Sequence, residues 1–198
     1  MVLPPDLQPT LAAVRLLAMD VDGVLTDGRI IWSASGGEVI ESKAFDVKDG
    51  LGISLARAGG IRIAWITGRS SALVAQRARE LHVERLREKV RDKGAALLEL
   101  CAEWDIAPGE AAFIGDDLND LLAFRRAGLR IAVADAVPEA RAAADWVTAA
   151  RGGRGAVREV VEALLRARGA WDAARERFLS ALVEPRPGFD PLPGGAAQ

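Results

Sequence analysis

The chain has 198 residues, half of them apolar and 27% charged, with a formal net charge of -2, which suits one domain with a substantial core and short appendages. The near-neutral balance excludes a general electrostatic attraction to nucleic acid or an anionic membrane, and no apolar run approaches the ~20 residues of a membrane span. The single cysteine excludes an intrachain disulfide. The start holds Pro4, Pro5, Asp6 and Pro9 rather than a basic flank and an apolar core. It does not read as a secretion signal, so a cytoplasmic protein is expected.

Residues 1–13 read as a loose N-terminal arm. The apolar run 14–19, broken only by Arg15, predicts a buried strand. Asp27-Gly28 turns the chain, residues 29–33 are short and β-rich, Gly36-Gly37 turns it again, and residues 38–45 alternate as a second strand. Together they predict a hairpin projecting from the end of the first strand. A helix over 49–58 stops at Gly59-Gly60, and 61–66 is the next strand. Ser70 or Ser71 caps a helix to Leu81, with His82 as a surface residue at its end. Residues 92–104 form another helix, with Cys101 as a small core residue. A strand over 111–114 ends at Gly115-Asp116 and is followed by a helix over 118–127, a strand over 130–133, a short helix over 138–144 and a last strand over 146–148. Residues 155–168 carry Val157, Val160, Val161, Leu164 and Leu165 on one helical stripe. A final helix over 171–183 leads to a Pro- and Gly-rich stretch that reads as a disordered tail. The expected division is therefore an arm (1–13), a domain (14–169), and a C-terminal helix with a tail (170–198). Alternating strands and helices predict an α/β fold, a doubly wound parallel sheet with a β-hairpin flap. In such sheets ligands sit beyond the carboxyl ends of the strands.

Three motifs fall just past such ends: Asp20-Val21-Asp22-Gly23, Thr67-Gly68-Arg69 and Gly115-Asp116-Asp117, with Lys93 between the last two. Magnesium takes oxygen ligands and keeps several waters. Asp20 and Asp116 can each offer it a carboxylate oxygen and Asp22 a backbone carbonyl. With a phosphate's charge so screened, Asp20 can attack phosphorus. Asp22, two residues on, can protonate the leaving alkoxide and later activate water. Thr67 can donate a hydroxyl to a phosphoryl oxygen, and Lys93 supplies fixed positive charge. Either Asp117 or Asp120 can position Lys93 or water. Taken singly, each motif has a bland reading: a turn, a helix cap, a solvated helix start, an N-cap. Their order, with three at strand ends, makes independent coincidence a poor account.

In that order the motifs resemble those of the haloacid dehalogenase superfamily of aspartate-nucleophile phosphatases, whose core is Rossmann-like. Over residues 16–169 the chain resembles, more closely, the 3-deoxy-D-manno-octulosonate 8-phosphate phosphatases. The stretches 20–28, 43–50, 115–120, 133–136 and 152–159 carry that likeness. The resemblance implies a magnesium-dependent hydrolase without a cap domain, and the short spans between motifs leave no room for one. It also implies a homotetramer whose hairpins cover neighbouring sites. The implied substrate loop is Asp46, Val47, Lys48, Asp49 and Gly50. Arg69 and Arg77 are implied sugar contacts, Lys93 a phosphate contact and Asp22 a further substrate contact. Arg69 and Arg77 are eight apart, about two turns along one helical face, so both can point to one anion. The implied reaction is hydrolysis of KDO 8-phosphate to KDO and phosphate, a step toward the inner sugar of bacterial lipopolysaccharide.

A sister group acting on a nine-carbon keto-acid phosphate typically has Glu after Thr-Gly and a Gly-Gly-Glu-Gly segment. Arg69 and Arg154 stand at those positions and favour the eight-carbon substrate. Three features depart from the pattern: Ser54 where some relatives have a basic residue, Lys89 where they often have glycine, and the longer tail. The alternatives are a phosphatase of another keto-sugar-acid or sugar phosphate, a phospho-acceptor signalling domain, which also clusters aspartates with a Thr and a Lys, and an inactive assembly module. An acid two residues after the nucleophile, on the first strand, argues against the signalling domain.

Overall fold

Strand β1 (Leu16–Met19) is fully buried and pairs in parallel on both sides, with β4 (Arg62–Ile66) and with β6 (Ala111–Gly115). These strands are built of Leu, Ile, Ala, Phe and Trp because helices cover both faces of the sheet, and near-continuous apolar runs are what such strands require. The protein is described by a computed structural model covering residues 5–183. Its sheet has six parallel strands in the order β5-β4-β1-β6-β7-β8, where β5 is Arg85–Arg87, β7 Leu129–Ala132 and β8 Trp146–Val147.

From β1 the chain moves outward through β4 and β5. It then crosses back to β6 and winds outward the other way, which makes the reversal point fall at β1 and β6. Helices α1 (Gln8–Ala13), α2 (Val47–Ala58), α7 (Ala156–Ala167) and α8 (Trp171–Val183) pack together, while α4 (Lys93–Glu103), α5 (Leu121–Phe124) and α6 (Pro138–Ala143) form a second group. Helix α3 (Ala72–Glu80) buries Val74 and Ala78. The predicted stripe on α7 is wholly buried. Cys101 is buried and His82 exposed, as expected.

The hairpin is present as β2 (Ile31–Ser35) and β3 (Glu38–Ser42), an antiparallel pair outside the main sheet. Its strands are displaced from the expected 29–33 and shorter than the expected 38–45. The N-terminal residues are not a loose arm throughout. Gln8–Ala13 is helical, with Pro9 in the first turn, where proline's missing N–H costs nothing, and Leu11 is fully buried. Strand β5 was not expected. It is a three-residue edge strand whose Arg85 and Arg87 both reach Glu103 of α4, so Leu86 alone carries the apolar signal of a strand. Helix α2 begins at Val47 rather than residue 49 because the Asp46 carboxylate caps it, accepting from the Lys48 amide at 2.7 Å. The expected helix over 118–127 is a single 3₁₀ turn (Leu118–Asp120) followed by the short α5. The expected tail and the first four residues lie outside the described residues.

Candidate active site

The sheet register brings the three motifs together. Met19 is level with Trp65 on one side and Ile114 on the other, so the chain leaves β1, β4 and β6 at nearly the same height. Asp20, Asp22, Thr67, Gly68, Arg69, Asp116, Asp117 and Asn119 line one small open cleft of about 120 Å³.

Lys93 lies beneath it at the start of α4, with no solvent exposure. Its Nζ is 2.9 Å from Asp20 Oδ1 and 2.6 Å from Asp120 Oδ1. Burial disfavours its charge, but the two carboxylates outweigh that and raise its pKa above the ordinary lysine value. Asp120 is fully buried, and both its oxygens are engaged, because Oδ2 accepts the amides of Asp116 (2.8 Å) and Asp117 (3.2 Å). Of the two acids the sequence left open, Asp120 is the one that positions Lys93. Asp117 is exposed and accepts the Leu118 amide at 2.6 Å.

Asp20, Asp116 and Asp120 hold ligand oxygens within 4.8 Å of one another. With Asp120 engaged, Asp20 and Asp116 remain to face a cation. Burial, then Asp120 and Asp20, raise the Asp116 pKa to about 8, and its Oδ1 is buried without a hydrogen-bond partner. Burial raises Asp20 to about 6 against the pull of Lys93, with Asp120 adding to the rise. Two desolvated carboxylates and an orphaned oxygen are what a hard divalent cation would satisfy.

Two glycine positions allow this packing. At Gly23 (φ 99°) a Cβ would meet Asp116 Oδ2 at 2.0 Å, and at Gly152 it would meet the Gly23 carbonyl oxygen at 1.7 Å. Residues 152–153 therefore clamp the loop that follows Asp20, and the Gly153 amide donates to the Val24 carbonyl at 2.8 Å. Thr67 is buried and its Oγ1 accepts the Arg69 amide at 3.2 Å, which leaves its proton free to donate.

The Asp22 side chain lines the cleft but makes its ion pairs outside the three-acid cluster. It pairs with Lys43 through Oδ1 and approaches Arg69 Nε at 3.7 Å through Oδ2. Arg69 also reaches Glu41 of β3 at 3.1 Å. Helix α3 starts only at Ala72, so Arg69 stands in the preceding loop, and the expectation that it shares a helical face with Arg77 is corrected. Ser71 occupies the cap position, but its hydroxyl donates to Glu41 at 2.8 Å instead of capping the helix.

Other expected site residues lie outside the cleft. Asp46 and Val47 line a second hollow with Asp27, Phe45 and Arg154. Lys48 is exposed. The buried Asp49 carboxylate accepts the amides of Gly155 (3.1 Å) and Arg158 (2.8 Å), capping α7. The Arg77 guanidinium lies over the Phe45 ring at 6.0 Å and pairs with Glu80 at 3.2 Å, and a Cβ at Gly50 would meet it at 2.5 Å. Ser54 donates to the Gly50 carbonyl and lines a groove against α8 rather than the cleft. Lys89 has φ 57°, the left-handed region that glycine enters most easily.

The sequence reading missed Glu41 and Lys43 as site residues. Lys43 opens the stretch 43–50 that carries the family likeness, and the further signal for the two is opposite charges, two residues apart, near the end of a strand expected to cover the site. Such spacing places both on one face.

A sequence model of the haloacid dehalogenase-like hydrolases matches residues 83–160. The 3-deoxy-D-manno-octulosonate 8-phosphate phosphatase of Escherichia coli K12 is 46% identical over 162 residues, 82% of this chain and 85% of that one. The Yersinia pestis enzyme of the same name is 45% identical over 154 residues, 78% of this chain and 81% of that one. Among solved structures, the Moraxella catarrhalis enzyme in complex with magnesium, phosphate and KDO superposes with a TM-score of 0.82 at 42% identity, covering 89% of this chain and 98% of that one. The cobalt-bound Haemophilus influenzae enzyme superposes with a TM-score of 0.79 at 34% identity, covering 86% of this chain and 99% of that one.

Proposed function

Because the chain belongs to the 3-deoxy-D-manno-octulosonate 8-phosphate phosphatases, a family of haloacid dehalogenase-like hydrolases, we infer that it hydrolyses KDO 8-phosphate to KDO and inorganic phosphate with magnesium. The observation that carries the reading is the acid pair Asp20 and Asp116 beside the buried, charged Lys93 at the ends of β1 and β6. The relative solved with magnesium, phosphate and KDO supports the cofactor and the substrate. In bacteria that make lipopolysaccharide, such a reaction supplies its inner sugar.

Asp20 and Asp116 would hold the magnesium through their carboxylates, and the Asp22 carbonyl would offer a further oxygen. Magnesium, when bound, screens the phosphate's negative charge. Lys93 holds Asp20 ionised and aimed, and its fixed charge favours the oxygens of the phosphoryl group. Asp20 attacks phosphorus and forms an aspartyl-phosphate while the bond to the sugar oxygen breaks. Asp22 gives its proton to that leaving oxygen. It then takes a proton from the water that cleaves the aspartyl-phosphate and releases phosphate. Thr67, whose hydroxyl proton is unspent, donates to a phosphoryl oxygen. Arg69 at the mouth suits the substrate's carboxylate.

For Arg77, Lys48 and the residues 46–50, support comes from the family likeness alone, since within one chain they lie outside the cleft. We read the enzyme as a cytoplasmic homotetramer. The hairpin, exposed and carrying Ile31, Trp32, Val39 and Ile40, supports assembly, and no described helix is long and apolar enough to cross a membrane.

The test is phosphate release with magnesium from KDO 8-phosphate, its nine-carbon analogue and common hexose phosphates. We expect strong preference for KDO 8-phosphate, and abolition of turnover in folded Asp20→Asn. Weak release from all substrates alike would discard the KDO assignment and favour a general sugar phosphatase. A stable aspartyl-phosphate without release would favour a signalling domain. Substantial turnover by Asp20→Asn would remove the nucleophile.

A further inference from the structure

The end of the hairpin brings two charges into the site. Glu41 and Lys43 meet Asp22 and Arg69 in a closed square of alternating sign. Lys43 pairs with Asp22, Arg69 lies 3.7 Å from Asp22 and 3.1 Å from Glu41, and Lys43 Nζ lies 3.8 Å from Glu41. Two corners come from the core loops and two from the flap.

Lys43 is the unusual corner. Its side chain has no solvent exposure, whereas Arg69 is 43% exposed. A buried ammonium is costly unless it is paired, and among the described residues Asp22 is the side chain in hydrogen-bonding contact with it. Asp22 in turn sits on a loop, is partly exposed, and has no other close hydrogen-bond partner among the described residues. Arg69, more distant and half in solvent, is the weaker hold, so without Lys43 the carboxyl would sample more rotamers. Proton transfer to a leaving oxygen requires hydrogen-bond reach in one orientation.

We propose that Lys43 is a positioning residue that holds the Asp22 carboxyl in the orientation from which it protonates the leaving oxygen. The flap thereby takes part in the chemistry rather than only covering the site. The proposal rests on the reading of Asp22 as the acid and base. Lys43 neither gains nor loses a proton: Asp22 gives one to the oxygen as its bond to phosphorus breaks, and recovers one from the attacking water.

The experiment compares phenyl phosphate with 4-nitrophenyl phosphate, which are similar in size but differ in how much the leaving oxygen needs a proton. Enzymes carrying Lys43→Met, Lys43→Arg, Asp22→Asn and the Lys43→Met/Asp22→Asn pair are measured in the full-length protein. For Lys43→Met, kcat/KM should fall at least about tenfold with phenyl phosphate and less than about threefold with 4-nitrophenyl phosphate. Lys43→Arg should recover part of the loss, which also guards against a folding defect. In the Asp22→Asn background, Lys43→Met should cost less than about threefold more. Equal losses on both substrates, no loss, or full additivity with Asp22→Asn would each overturn the role of Lys43. If Asp22→Asn itself lost both substrates alike, the acid and base reading would fall first and the proposal with it. A split for Asp22→Asn with none for Lys43→Met sinks the proposal alone.

Discussion

Asp116 and Asp20 show how burial tunes a single pair of side chains. An acid whose folded pKa lies above its unfolded value keeps its proton in the folded state while the unfolded chain releases it. Between about pH 4 and the raised values of about 8 for Asp116 and about 6 for Asp20, the folded state therefore binds more protons, and stability of the metal-free protein falls as pH rises. A divalent cation takes the ionised pair and releases those protons. The gain in Tm on adding magnesium should accordingly be larger at about pH 8.5 than at about pH 5.5. A thermal melt at the two pH values checks this, and an equal gain would mean that the cation binds elsewhere. The sequence made Asp20, Asp116, Thr67 and Lys93 legible because each stands at a strand or helix end with a chemical reason to be there. It left Asp120 undecided, because choosing between two nearby acids needs to know which one turns inward toward Lys93.

Helix α7 illustrates how one element depends on another. Its N-cap is Gly155, which has no side chain to satisfy the free amides of the first turn. Asp49 of α2 does so instead, across a gap in sequence that no local capping pattern reveals. The resemblance assigned Asp49 to the substrate, whereas its carboxylate is turned inward and spent. Asp49→Ala should destabilise the protein by about 1–2 kcal/mol, the usual cost of a lost cap, measured by urea unfolding, with KM for sugar phosphate changed little. A large rise in KM at unchanged stability would return Asp49 to the substrate loop. Legibility at this scale follows apolar content. β1 and α7 stand out because their residues are buried, while β5 is invisible because two of its three side chains are arginines paired to Glu103.

At the scale of the molecule, the hairpin is the part that does not pay its own way. Two strands alone are marginal in water, and this pair carries apolar residues on both faces: Ile31 and Ile40 on one, Trp32 and Val39 on the other, by its register and alternation. Its attachment to the core is mainly charged, through Glu41 and Lys43. An exposed apolar ribbon of this kind marks an association surface. Light scattering should give four chain masses, and Val39→Asp with Ile40→Asp should give a smaller species with reduced turnover. A wild-type monomer with full activity would remove the assembly reading.

Strand β1 is synthesised first among the six yet lies between β4 and β6. Leu16 pairs with Ala111, and at ribosomal speeds the intervening chain takes on the order of 5–20 s to emerge. Throughout that interval the most apolar strand of the nascent chain has an unpaired edge, and such long-range parallel pairing is slow even once both partners exist. The same centrality that aligns the three loops of the cleft thus makes Leu16–Met19 the segment most in need of shielding by a chaperone during translation.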